Sequence, residues 1–283
     1  MFLSTITGWI WPWERPTNYG WYHIMWLVIM LGLCVFFCLK FATKHDEKID
    51  NRVIFGFGVF LVLIELYKQI FVTIDNGTFI WSNFPFQFCS VPMYAAFIAP
   101  LVKNKKVQNA FYSFIAIFGF LAGTAVMLYP DTCFHTDYVT ILIHTMMWHA
   151  SMVIMGVYLI VAKKYCSSLK NFVKEIASGG IVFTSIVVFS LLVNIIAYHA
   201  YFGTPNNTTG QSINFMYISP YYGCPFPVLG ALKDQVPFIV FFLVYLLAFA
   251  VGISVLWFAI FGIRQLVALI ANKKKPETKQ ESC

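Results

Sequence analysis

Between two long apolar runs the chain reads Lys40-Phe41-Ala42-Thr43-Lys44-His45-Asp46-Glu47-Lys48-Ile49-Asp50-Asn51-Arg52. The runs on either side, Trp21–Leu39 and Val53–Ile74, are each near the ~20 residues a helix needs to cross a bilayer core. The alternation recurs down the chain, with further apolar stretches at Phe86–Leu101, Ala110–Leu128, Tyr138–Ala162, Gly180–Tyr201 and Pro237–Ile263. Basic clusters occupy every second connection: Lys103, Lys105 and Lys106, then Lys163, Lys164, Lys170 and Lys174, and finally Arg264 with Lys273, Lys274, Lys275 and Lys279. Sixteen of the 19 Lys and Arg residues thus fall on one side of the stretches, and the opposite connections hold only Arg15 and Lys233. Short loops rich in Lys and Arg stay in the cytoplasm. The expected fold is therefore an all-α polytopic membrane protein, a seven-transmembrane-helix bundle with its N-terminus outside and its C-terminus cytoplasmic.

With 59% hydrophobic and 11% charged residues, little chain is left for a soluble domain. Three regions are expected: an interfacial N-terminal segment over 1–20, marked by Trp9, Trp11 and Trp13; a transmembrane domain over 21–263; and a basic cytoplasmic tail over 264–283. The first apolar run is followed by Lys40 and a charged loop, which reads as a retained helix rather than a cleaved leader. Positive charge confined to short loops and a tail suits anionic lipid headgroups and excludes a nucleic-acid groove. Within the domain, 202–236 holds Gly203, Pro205, Pro220, Gly223, Pro225 and Pro227 among aromatic residues. It is too broken to span and too aromatic for a free linker, so it is expected to fold as an outer cap. Cys133 and Cys224 both fall in outer connections, where a disulfide is chemically permitted.

Polar side chains inside spans are expensive and usually face the bundle interior. Counting from the basic end of each stretch at ~1.5 Å per residue puts Glu65, Cys89, His149 and Asn194 at roughly 18 to 21 Å, nearly one plane. Lys68, one turn from Glu65 on the same face, is placed to pair with it, and Gln87 adds an amide near Cys89. Each has a structural reading as well: an ion pair holding one helix in place for Glu65 and Lys68, interhelical hydrogen bonds for His149 and Asn194, a small core residue for Cys89. Taken together, Cys89 and His149 are the best nucleophile and base on offer, because a thiolate is the reactive form and imidazole can accept its proton. No Gly-x-Ser-x-Gly elbow supports a serine nucleophile. No His-Glu-x-x-His spacing supports a zinc site. No metal and no cofactor is expected.

The run Pro85-Phe86-Gln87-Phe88-Cys89 resembles the Pro-x-His/Gln-x-Cys signature of the YwaF-like bacterial membrane proteins, which are related to the eukaryotic transmembrane protein 164 family. Lys103-Asn104-Lys105-Lys106 and Tyr129-Pro130-Asp131 are similar to turns of that group, Trp148-His149-Ala150 to its Ser-His-Gly, and Asn214-Phe215-Met216-Tyr217 to its Asn-Tyr-Met-Tyr. The resemblance implies Cys-dependent lipid acyltransferase activity, as in the eukaryotic relatives. The resemblance implies Cys89 as nucleophile and His149 as its partner, with Gln87 standing where His is frequent and Ala150 in place of Gly.

Two functions are expected from these readings. The first is a phospholipid acyltransferase working through a thioester on Cys89, with His149 as base, Gln87 or Asn194 supporting the oxyanion, and Glu65 and Lys68 orienting His149 or holding a headgroup. Its partners are membrane lipids, a phospholipid and a lyso-phospholipid, in the plasma membrane of a bacterium. The second is a small-ligand transporter or receptor with the same polar plane as its binding site.

Overall fold

The computed structural model describes residues 14–136 and 138–273. The aromatic interfacial segment expected over 1–20 falls largely outside the described residues, as does the tail beyond Lys273. Among the described residues, six helices are long and apolar enough to cross a membrane. They contain α1 (Trp21–Lys40), α2 (Glu47–Asn76), α4 (Lys105–Ser113, a π-helical stretch Phe114–Gly119, then Phe120–Leu128), α5 (Val139–Ala162), α6 (Phe172–Ala197) and α8 (Phe238–Lys273). Two shorter helices complete the set: α3 (Val91–Ile98), which runs on as a 3-10 turn through Leu101, and α7 (Pro227–Lys233) in the cap.

A seventh membrane-length helix is where expectation and structure part. The stretch Phe86–Leu101 is helical only from Val91, and the chain before it descends through turns and a single 3-10 turn at Trp81–Asn83. Proline explains the break. Pro85 lies in the irregular run, and Pro92 occupies the first turn of α3, where its missing N–H is tolerated but a preceding helical turn is not. Irregular backbone at membrane depth is stable only when buried in protein or lining a cavity. At the other end α8 continues past Ile263, because no Gly or Pro interrupts Arg264 to Lys273.

The lysine-rich connections fold as capped helix starts. Asp46 accepts from the N–H groups of Lys48 (2.7 Å) and Ile49 (3.4 Å) to begin α2, and Asn104 does the same for Lys106 (2.9 Å) and Val107 (3.4 Å) to begin α4. These are the side chains that best satisfy the orphan donors of a first turn. Two buried carboxylates fasten that end of the bundle. Asp50 accepts from the Tyr158 hydroxyl at 2.7 Å and pairs with Lys163 at 2.9 Å. Glu175 accepts from the Cys166 N–H at 2.9 Å and the Trp257 indole at 2.8 Å.

α5 is the most buried of the six long helices and packs against α1, α2 and α4. Its contact with α4 relies on glycine: a Cβ on Gly123 would sit 2.8 Å from the Met152 Cβ and 2.9 Å from the His149 carbonyl oxygen. On the other side, a Cβ on Gly58 of α2 would lie 2.5 Å from the Phe97 backbone nitrogen of α3. Small residues at such crossings let backbones approach within membranes. The two approaches set the carriers of His149 and Cys89 against their neighbours.

The segment 202–236, expected as a cap, is folded on itself by local hydrogen bonds. Asn214 accepts from the Ser219 N–H (2.9 Å) and donates to the Gly223 carbonyl (2.8 Å). Tyr221 stacks on Tyr198 at 3.7 Å, and the Lys233 ammonium donates to the carbonyls of Ser219 and Tyr222. Gln211 ties the cap to the chain ahead of α3 by accepting from the Trp81 N–H (3.0 Å) and donating to the Phe79 carbonyl (3.1 Å). Cys133 and Cys224, between which a disulfide is chemically permitted, are not bridged to one another.

Candidate functional site

Cys89 stands two residues ahead of α3, at the end of the irregular descent. Its carbonyl accepts a hydrogen bond from the Trp148 indole N–H at 2.9 Å, so the backbone that carries the thiol is tied to α5 beside His149. Placement at the head of a helix has a further consequence. The positive end of the helix dipole lies there, which favours negative charge developing nearby.

His149 is 7% exposed, and its Nδ1 lies 2.8 Å from the Thr145 carbonyl oxygen. A carbonyl only accepts, so the proton of the neutral ring must reside on Nδ1. Nε2 is then left with its lone pair, the form a general base requires. No hydrogen bond joins the ring to the Cys89 thiol among the described residues; such contacts commonly tighten only when substrate is bound.

The other polar residues of the plane form a connected network. Glu65, 4% exposed, is held by the Lys68 ammonium at 2.7 Å and the Gln69 amide at 2.7 Å. Its second oxygen lies 3.4 Å from His144 Nε2. The His144 ring stacks on Trp148, with centroids 5.3 Å apart, and Trp148 in turn reaches Cys89. Gln69 also donates to the Asn83 carbonyl at 2.7 Å, which pins the descending chain to α2. Glu65 therefore contacts His144, not His149, and reaches the candidate site through a ring stack. Lys68 is close enough to act electrostatically on both Cys89 and His149.

Gln87 and Asn194 are drawn into the cap. Gln87 donates to the Asn214 carbonyl at 3.0 Å, and its own amide oxygen is buried without a hydrogen-bond partner. Asn194 is fully buried, accepting from the Phe215 N–H at 2.9 Å and donating to the Phe215 carbonyl at 3.0 Å. Both backbone groups of one cap residue are satisfied by one amide, so Asn194 seats the cap on the bundle. The seated segment carries Met216 and Tyr217 at φ 57° and 56°, a left-handed conformation that non-glycine residues adopt only when their surroundings demand it. Tyr245 of α8 adds a hydrogen bond to the Met216 carbonyl at 2.9 Å.

Two participants escape the depth argument: Trp148 and Tyr217. Trp148 reads as a packing residue unless its N–H is counted. Tyr217 lies within electrostatic reach of Cys89, Cys133 and Cys224, and burial pushes its phenol pKa up from the ordinary value. Its only signal in the sequence is the Asn214–Tyr217 resemblance. Among the described residues there is no group of three or more His, Cys, Asp or Glu side chains arranged to hold a metal ion.

Neither a curated protein nor a solved structure matches the chain. The model of the TMEM164 family matches residues 18–261, nearly the whole of the described structure and every residue of the candidate site. On that match the chain, a helical membrane protein, belongs to the TMEM164 family.

Proposed function

We propose that this protein is a Cys-dependent acyltransferase that moves a fatty acyl group between membrane phospholipids. The observation that carries the proposal is the 2.9 Å hydrogen bond from Trp148 to the Cys89 carbonyl, which ties the backbone of a cysteine at the head of α3 to the residue before His149, a histidine in the tautomer of a base. In the first half-reaction His149 Nε2 takes the thiol proton and the Cys89 sulfur attacks the ester carbonyl of a donor phospholipid. The ester C–O bond breaks, the protonated ring returns its proton to the leaving oxygen, and a lyso-lipid departs from an acyl thioester. In the second half His149 deprotonates the hydroxyl of an acceptor lyso-lipid, which attacks the thioester and restores the thiol. The positive end of the α3 dipole and the Lys68 cation supply the positive potential facing the oxyanion. Water as acceptor in place of a lyso-lipid would make the protein a lipase.

The same proposal includes the topology and setting. The irregular chain before α3 together with α3 completes a seventh crossing, so the N-terminus lies outside and the lysine-rich end in the cytoplasm. The cap then covers the outer mouth of the site. Membership of the YwaF-like bacterial branch and residence in a bacterial plasma membrane belong to this reading as well.

The test is transfer from isotopically labelled phosphatidylcholine to lyso-phospholipid by the purified protein in lipid nanodiscs. Wild type, Cys34→Ser and Cys38→Ser should transfer the label; Cys89→Ser and His149→Gln should not. Transfer by Cys89→Ser at the wild-type rate would overturn the proposal. The transporter or receptor reading is favoured by one feature, the closed Lys68–Glu65–His144 network, and predicts a ligand whose binding survives Cys89→Ser.

A further inference from the structure

A groove of 550 Å³ runs between α1 and α2 and is floored by Met147, Ala150, Ser151 and Ile154 of α5. Trp26 and Phe37 mark its extent along α1, about 16 Å of helix rise, close to the ~15 Å depth of one leaflet's hydrocarbon. Leu33 on its rim is 39% exposed, so the groove opens sideways to lipid. Neither Cys89 nor His149 lines it, which makes it distinct from the candidate catalytic site.

Its lysine-rich end is closed by one cation, Arg52. Every acidic side chain near Arg52 in sequence is committed elsewhere. Asp46 caps α2, Glu47 pairs with Lys105 and Asp50 pairs with Lys163. Arg52 itself makes no ion pair among the described residues. A guanidinium is always charged and presents a planar fork that fits phosphate oxygens. An apolar trough one leaflet deep, ending in an uncommitted guanidinium, matches one molecule in shape and charge: a phospholipid lying parallel to the helices with its phosphate on Arg52.

We infer that this groove is a phospholipid-binding site, seating one acyl chain against Ala150 and Phe57 and the headgroup phosphate on Arg52. Gly56 supplies the means of testing it. It lines the groove, and a Cβ there meets nothing within 4 Å. A larger side chain at 56 therefore enters the trough without disturbing the backbone, and it improves helix propensity.

The experiment is native mass spectrometry of the purified full chain, stripped of lipid in detergent and titrated with 1-palmitoyl-2-oleoyl-phosphatidylglycerol or with the corresponding diacylglycerol, which lacks phosphate. Wild type should hold one phosphatidylglycerol in preference to diacylglycerol. Gly56→Phe should bind either lipid at least ~10-fold more weakly with an unchanged melting temperature, and Gly56→Leu serves if the Phe variant does not fold. Arg52→Gln should lose about tenfold in phosphatidylglycerol affinity, as expected for removal of one charge-assisted contact, while diacylglycerol binding stays unchanged. The inference is overturned if the folded Gly56 variant binds as wild type does, or if Arg52→Gln keeps the full preference for phosphatidylglycerol. Because the readout is binding and every variant can be made in a Cys89→Ser background, the result does not depend on whether acyl transfer occurs.

Discussion

Replacing Gly58 with alanine drives a methyl group into the backbone of α3. The added Cβ would lie 2.5 Å from the Phe97 nitrogen, 2.7 Å from its Cα and 2.8 Å from the Ala96 carbonyl carbon, whereas carbon atoms pack best at about 3.5–4.0 Å. Backbone atoms cannot rotate aside, so α2 and α3 must part by roughly 1 Å. Overpacking of this kind costs ~1–3 kcal/mol, offset by the ~0.5–1 kcal/mol that alanine gains over glycine inside a helix. The net loss is about 1–2 kcal/mol, and it falls on the helix that Cys89 precedes by two residues. A displacement of that size near a reacting atom lowers rates by ~100-fold, far beyond what the stability change alone would do. The assay is a thermal melt in detergent alongside acyl transfer at a temperature where both proteins are folded. Gly56→Ala is the control, since a Cβ there meets nothing within 4 Å, and it should melt at or slightly above the wild-type temperature. If Gly58→Ala proves as stable and active as Gly56→Ala, α2 and α3 do not approach as described and the placement of Cys89 is wrong.

Further outcomes follow from the polar contacts. Asn194→Leu strands the buried N–H and carbonyl of Phe215 and should destabilise the cap by ~2–3 kcal/mol; hydrogen exchange over 210–222 should speed up, and unchanged protection would remove Asn194 from its seating role. Glu65→Gln leaves the partly buried Lys68 without a carboxylate and should destabilise the protein, while the pair Glu65→Gln with Lys68→Met should recover much of the loss; denaturation midpoints of the three proteins decide. Cys166 is fully buried in the turn before α6, and burial pushes its thiol pKa up to about 12. The thiolate is then about one part in 10⁴ at pH 8, so maleimide should leave Cys166 unlabelled until the protein unfolds, and fast labelling of the native state would show that the turn is open.

Much of the architecture was readable because membrane crossing is a matter of length and hydropathy, which survive as local properties of the chain. Six of the seven apolar stretches are helices long enough to span. The seventh, Phe86–Leu101, satisfies the same average, but Pro85 and Pro92 confine its helix to Val91 onward, and an average over a window does not register where a helix begins. Depth along the helices brought Glu65, Cys89, His149 and Asn194 to one level, yet depth says nothing of rotation. His144 and His149 differ by five residues, so they point to different sides of α5, and the carboxylate of Glu65 meets the former. Trp148 joins that network to Cys89 through an indole N–H, a polar group hidden in a residue that hydropathy counts as apolar. Asn194 seats Phe215 across 21 positions of sequence, a pairing that only the folded cap reveals.

The central claim is covalent chemistry at Cys89, and one measurement meets it directly. Purified protein is mixed with a labelled donor phospholipid in the absence of any acceptor, quenched in acid, and read by intact and peptide mass spectrometry. The account predicts one acyl group on the peptide containing Cys89, released by neutral hydroxylamine as a thioester is, and no adduct in Cys89→Ser. Transfer to an added acceptor with Cys89 never acylated would contradict it.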